Sequence, residues 1–194
     1  MKIETLETAN EILKKIPGIS KKQAERISTF LLNSKPEFTD ELCQKLQNIH
    51  IKIEFCPKCN FIKENNSCLN CDDTLKTNSL MIVESFATAN KIDGLGIFLG
   101  YYFVLPYLLE LKKQIEKNDY NYEQLFSFVE KHNFEEIIIV ISPSLEGEMT
   151  TAHLTNLFKE KSIKVSRAAI GMPMGSSLEY LDTFTIKQAI NNRK

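Results

Sequence analysis

Four of the chain's five cysteines fall in one stretch, CPKCNFIKENNSCLNC, from Cys56 to Cys71. The spacing is Cys-x2-Cys, then eight residues, then Cys-x2-Cys. Each pair forms a turn that aims its sulfurs at a single point, and the polar turn Lys63-Glu64-Asn65-Asn66 folds one pair onto the other. Four thiolates meeting tetrahedrally suit zinc, and a site filled entirely by protein ligands is closed to water and substrate. Cys56, Cys59, Cys68 and Cys71 are therefore expected to hold one structural Zn2+ per chain. Redox dithiols and an iron–sulfur cluster are the competing chemistries. The opening residues MKIETLETAN carry no apolar signal region, and the run IIIVI at 137–141 is too short to cross a bilayer. A cytosolic setting is expected, where thiols stay reduced and clustered cysteines usually bind metal.

A second candidate lies near the start. Ile16-Pro17-Gly18-Ile19-Ser20 reads as the turn of a helix-hairpin-helix, which sets backbone N–H groups and a helix N-terminus against a DNA phosphate. Lys22 and Arg26, four apart, share a helix face and are candidate phosphate contacts. The net charge is −1, so no global basic field announces nucleic acid. Between Asn10 and Lys35, however, six basic residues face two acids. The usual hairpin has a second glycine where this chain has Ser20, and serine resists positive φ. A plain helical hairpin with a solvated lysine face is the alternative.

The third constellation is acidic. Glu84 follows the apolar run Leu80–Val83, and Ser142-Pro143-Ser144-Leu145-Glu146-Gly147-Glu148 follows Ile137–Ile141. In an open parallel sheet, sites lie outside the carboxyl ends of the strands. The arrangement resembles the Toprim domain of topoisomerases and primases, where a glutamate and a later Asp-x-Asp bind magnesium. Here the Asp-x-Asp positions are Ser142 and Ser144, so the resemblance implies a largely dismantled ion site. Glu146 and Glu148 are either substitutes or acids favoured in a first helical turn.

These groups need elements to hold them. Apolar spacing predicts a helix over residues 4–15, broken at Pro17-Gly18, and a second capped by Ser20 with Ala24, Ile27, Phe30 and Leu31 on its apolar face. Pro36 should stop that helix and Thr39 cap a third, whose stripe is Leu42, Leu46 and Ile49 and whose Cys43 is a small core residue under Phe38. Residues 50–55 alternate as a short strand. Strands are expected at Leu80–Val83, Phe103–Leu105, Ile137–Ile141 and Ile163–Ala169. Helices are expected at Phe86–Ile92, Tyr107–Lys117, Tyr122–His132, Glu148–Glu160 and Thr183–Asn192. Alternation of this kind implies an α/β fold with a doubly wound parallel sheet.

In this order, a helix-hairpin-helix, a four-cysteine finger, a degenerate Toprim domain and a C-terminal helix resemble the RecR family of bacterial recombination mediators. The resemblance rests on the cysteines, on Leu145-Glu146-Gly147-Glu148-Met149-Thr150, and on the stretch Gly171-Met172-Pro173-Met174-Gly175-Ser176-Ser177-Leu178-Glu179-Tyr180-Leu181-Asp182. That last segment is similar to the family's G-x-P-x-G-x-x-L-E-Y-x-D. The resemblance divides the chain into a helix-hairpin-helix region (1–52), a zinc finger (53–78), a Toprim-like domain (79–171) and an assembly segment (172–194). It implies a non-enzymatic, cytoplasmic, nucleoid-associated DNA-binding protein that forms rings, typically tetramers. It also implies action with RecO, and in some settings RecF, to load RecA, with Glu84 and Glu146 as candidate partner-binding acids. This chain lacks the family's glycine-rich L-G-G-x-L-S-P-L-x-G-I-G-P stretch, running instead through Leu105-Pro106-Tyr107-Leu108-Leu109-Glu110-Leu111. Two other functions compete: a magnesium-dependent Toprim enzyme of primase or nuclease type using Glu84, Glu146 and Glu148, and a scaffold without DNA affinity.

Overall fold

Pro17-Gly18 and the cap at Ser20 separate the first two helices as their residue types require: α1 is Glu4–Leu13 and α2 is Lys21–Asn33. The computed structural model describes residues 3–110, 122–161 and 163–193. It divides into two units, Met1–Ile53 and Glu54–Lys194. In the first, α1 packs on α2 through Ala24, and the Ser28 hydroxyl donates to Asn10 Oδ1 at 2.7 Å.

The third helix departs from the sequence reading. It begins at Pro36, not after Thr39, and runs to Lys52 (α3, Pro36–Lys52). Proline is at home at the first helical position, where its missing N–H is not needed, and it holds Lys35 extended at φ −66° and ψ 143°. His50 and Lys52 lie in its last turn, where positive charge favours the helix over the expected strand. Only Ile53–Phe55 remains extended. Cys43 is exposed rather than in a core, and Leu42, Leu46 and Ile49 are 36, 54 and 50 % exposed. Among the described residues of this unit only Ala24 and Ser28 are buried.

The second unit, together with Ile53 directly before it, holds two sheets. A small one, in the order β1 (Ile53–Phe55), β2 (Ile62–Glu64), β3 (Ser67–Cys68), carries the cysteines. Its hairpin turns through Asn65 and Asn66 at φ 48° and 68°, the left-handed pair a two-residue turn demands. The large sheet comprises β4 (Ser79–Val83), β5 (Tyr101–Val104), β6 (Glu136–Val140) and β7 (Val165–Arg167). All its pairings are parallel, in the order β5-β4-β6-β7. Helices α4 (Phe86–Asp93), α5 (Glu123–His132) and α6 (Leu145–Glu160) make the crossovers, and α7 (Thr183–Asn191) ends the chain. Leu80, Ile82, Phe103, Ile137, Leu154 and Phe158 are fully buried. Side chains of this size contribute about 1.5–3 kcal/mol each. Strand β6 is covered completely on the Ile137 and Ile139 face and only partly on the Ile138 face.

The helix expected over Tyr107–Lys117 is absent from its described part, 107–110; the rest lies outside the described residues. Among the described residues no helix is long and apolar enough to cross a membrane.

Candidate functional site

The cysteines converge. Backbone hydrogen bonds from Cys56 N–H to the Phe61 carbonyl (2.7 Å) and from Asn60 N–H to the Cys56 carbonyl (2.8 Å) close the first turn, with Asn60 left-handed at φ 56°. The second turn is closed by Asp72, whose carboxylate accepts from Cys68 N–H at 2.8 Å and from the Ser67 hydroxyl at 3.0 Å. Those donors hold the Asp72 carboxyl below its usual range, so its contribution to this turn is present at neutral pH and lost on acidification. The sulfurs of Cys56, Cys59, Cys68 and Cys71 all lie within 4.8 Å of one another, with separations of 3.3, 3.6 and 4.0 Å between the closest pairs. Tetrahedral metal–sulfur bonds of about 2.3 Å place sulfurs about 3.8 Å apart, so the donor set fits a metal ion. A disulfide needs about 2 Å, and all five cysteines are free.

Electrostatics point the same way. Cys59 is pulled down to about 5, foremost by the Cys71 thiol hydrogen-bonded to it. Burial pushes Cys68 up to about 11. Cys71 is raised because its proton is committed to Cys59 and because it is buried. A dication held among these sulfurs would favour the thiolate form of each ligand.

The second site lies where the strand order reverses, between the carboxyl ends of β4 and β6. Glu84 is there, but its carboxylate is spent on Ser142, accepting from the backbone N–H at 3.0 Å and from the hydroxyl. Ser144 caps α6, its Oγ accepting from Gly147 N–H at 3.1 Å. Glu148 grips Arg167 through both carboxylate oxygens at 2.6 and 2.9 Å, and this pairing raises the Arg167 pKa. Glu146 occupies the first turn of α6 and makes no ion pair among the described residues.

In the hairpin, the positive φ falls on Gly18 (+84°), while Ser20 is extended at φ −75°. The residue that looked like a defect is a helix cap. Ser20 N–H donates to Gln23 Oε1 at 2.7 Å and Gln23 N–H to Ser20 Oγ at 3.4 Å, a reciprocal capping box. The N–H groups of Lys21 and Lys22 have no hydrogen-bond partner among the described residues. Lys22 and Arg26 are both exposed and line one shallow groove.

Sequence reasoning missed several residues. Thr150 is buried; its hydroxyl donates to the Glu146 carbonyl at 2.7 Å and accepts from Leu109 N–H at 2.8 Å. Asn60 and Asn70, beside the cysteines, bond to β5. Asparagine directly after a Cys-x2-Cys pair is the signal that was available for Asn60, since it tolerates left-handed backbone. In the C-terminal stretch Gly175 takes φ +81°, and Leu178 and Tyr180 are 61 and 88 % exposed.

A parallel sheet in this order, with a glutamate at its switch point and a cysteine knuckle ahead of it, defines a Toprim-type protein. Residues 78–169 match the family described as Toprim domain, and residues 171–194 match that described as RecR, C-terminal. The recombination protein RecR of Mycoplasmopsis pulmonis (strain UAB CTIP) is 35 % identical over 182 residues, 94 % of each chain. That of Syntrophobacter fumaroxidans (strain DSM 10017 / MPOB) is 31 % identical, over 94 % of this chain and 91 % of its own. That of Finegoldia magna (strain ATCC 29328 / DSM 20472 / WAL 2508) is 32 % identical, over 94 and 92 %. The chain belongs to the RecR family.

Proposed function

We propose that this chain is a non-enzymatic, DNA-binding mediator of recombinational repair, a reading supported by relatives named as recombination proteins. Zinc is the metal at Cys56, Cys59, Cys68 and Cys71, and its role is structural. The mediator works with RecO, and in some settings RecF, to promote RecA loading, from a cytoplasmic, nucleoid-associated ring of copies, a tetramer by family resemblance. Lys22, Arg26 and the open N–H groups at the start of α2 meet phosphates. Glu84 and Glu146 meet a protein partner. Exposed Leu46 and Ile49 near one end, and Met172, Met174 and Tyr180 near the other, supply apolar surface for assembly. In a ring, several weak phosphate contacts act together, which suits a subunit with net charge −1.

The observation that carries the non-enzymatic part is the spent carboxylates. Strand chemistry needs magnesium held by several free carboxylate oxygens. Glu84 is bonded to Ser142 and Glu148 to Arg167, and Ser142 and Ser144 offer only hydroxyls, one a helix cap. Supercoiled plasmid or primed template incubated with the protein and Mg2+ or Mn2+ is therefore expected to show no nicking, relaxation or primer synthesis. Turnover that vanishes in Glu84→Ala would establish the Toprim enzyme instead.

The DNA-binding part is tested separately. Lys22→Ala combined with Arg26→Ala is expected to weaken binding alike for all sequences. Removing a cation that neutralises one phosphate should also flatten the plot of log K against log salt by about 0.9 for duplex DNA, so by roughly 2 for both. Unchanged affinity and slope would leave the hairpin as architecture and favour the scaffold.

A further inference from the structure

Strand β5 is at an edge of the large sheet, and an edge strand presents unpaired N–H and C=O groups that recruit other strands. Here that edge is covered, by the cysteine turns. Tyr102 N–H donates to Asn70 Oδ1 at 2.7 Å, and Asn70 Nδ2 donates back to the Tyr102 carbonyl at 2.8 Å. One carboxamide thus closes both groups as a neighbouring strand would. Two residues on, Val104 N–H donates to the Cys59 carbonyl at 3.1 Å, and Asn60 Nδ2 donates to the Val104 carbonyl at 3.1 Å. Asn70 is 1 % exposed and lies between Cys68 and Cys71, while Asn60 directly follows Cys59. The bonds that cover the edge are therefore made by residues whose positions the sulfurs fix.

What is covered matters. The segment Ile97-Phe98-Leu99-Gly100-Tyr101-Tyr102-Phe103-Val104-Leu105 has no charged residue and is rich in strand-forming side chains. Ile97 and Leu99 are 75 and 65 % exposed just before the strand. An uncharged, aromatic edge without lysine or proline depends on its cover to stay unpaired.

We propose that the cysteine knuckle is a metal-locked cover for the β5 edge, and that metal loss opens this edge to β5 of a second copy. The two strands then pair edge to edge. The proposal rests on the metal reading above, so the test separates them. The full chain is kept in reductant, its metal content is measured, and it is compared with and without chelator. Amide exchange at Tyr102 and Val104 is expected to accelerate roughly tenfold or more on chelation, while Ile82 and Ile139 stay protected. Light scattering should show species larger than the metal-loaded protein forms. Ile97→Lys combined with Leu99→Lys should suppress that growth without changing metal content. Continued protection of Tyr102 and Val104 after metal removal, simultaneous exchange of all four amides, or growth indifferent to the lysines would each overturn the proposal. Asn70→Ala opens the Tyr102 part of the edge and keeps all four cysteines, removing only the Asn70 side chain's hydrogen bond to Cys59. It is expected to self-associate with its metal retained. If it stays the size of the parent while keeping metal, the edge cover falls and the metal reading stands. Purified protein without metal would sink the metal reading, and the locked cover with it.

Discussion

Cys59→Ser is expected to lose the metal and to lower the thermal midpoint by roughly 10 °C, since a lost structural metal is among the few changes that cost on the order of 4 kcal/mol. At such sites metal binding is folding free energy, because the unfolded chain has no preformed cluster. Cys59 is the most exacting of the four positions: fully buried, in contact with the sulfurs of both Cys68 and Cys71, and holding Val104 through its carbonyl. Serine offers a harder, shorter ligand and leaves the other sulfurs crowded in a buried pocket, where thiolates without a bound cation are costly. Acid should act in the same direction, as protonating the thiols competes with the metal. Cys43→Ser is the control. Cys43 is exposed, so metal content and midpoint should both be unchanged. Elemental analysis and a melting curve of the two variants settle it, and a Cys59→Ser protein that keeps its metal would contradict the four-sulfur site.

The cysteine cluster was legible in the sequence because its spacing is local: each pair needs only one turn, and the turn that joins the pairs is written in Asn65 and Asn66. The parallel sheet was legible because continuous apolar runs such as Ile137–Ile141 have few other uses. The third helix was misread at both ends for a common reason. Pro36 serves equally as a stop and as a first residue, and residues 50–55 alternate well enough for a strand while still completing a helix. Burial of Cys43 was inferred from a stripe that this chain leaves exposed, since periodicity reveals a face and not what covers it. The switch point was half visible. Serines at 142 and 144, where the Toprim resemblance implies aspartates, were plain, whereas the bond between Glu84 and Ser142 joins residues 58 apart in sequence, beyond local reasoning. Asn70 was invisible for the same reason, its partner being Tyr102 on another sheet.

Gly147→Ala tests how rigidly that switch point is built, and two effects of opposite sign compete in it. Alanine in place of glycine within a helix is worth about 1 kcal/mol of stability. Against this, a Cβ at Gly147 would lie 2.0 Å from the Ser142 carbonyl oxygen and 3.1 Å from Ile141 Cγ2. The obstructing atom is backbone, so no side-chain rotation relieves the clash. Ser142 cannot retreat freely either: its N–H and hydroxyl bind Glu84, and its carbonyl accepts from Ser144 N–H at 2.8 Å, just ahead of the helix cap. Overpacking of this kind costs about 1–3 kcal/mol, and more where the neighbour is held. The clash therefore outweighs the helical gain, for a net loss of about 2 kcal/mol and a midpoint lower by roughly 4–8 °C in a chain of this size. Gly171→Ala, where an added Cβ meets nothing within 4 Å, is expected to leave the midpoint within about 1–2 °C. Hydrogen exchange should find the Ser142 amide deprotected in Gly147→Ala, because moving its carbonyl breaks the bond to Glu84. A Gly147→Ala protein that melts at or above the parent temperature would mean that the loop between β6 and α6 yields easily, and that Glu84 is freer to bind a cation than its bonds to Ser142 imply.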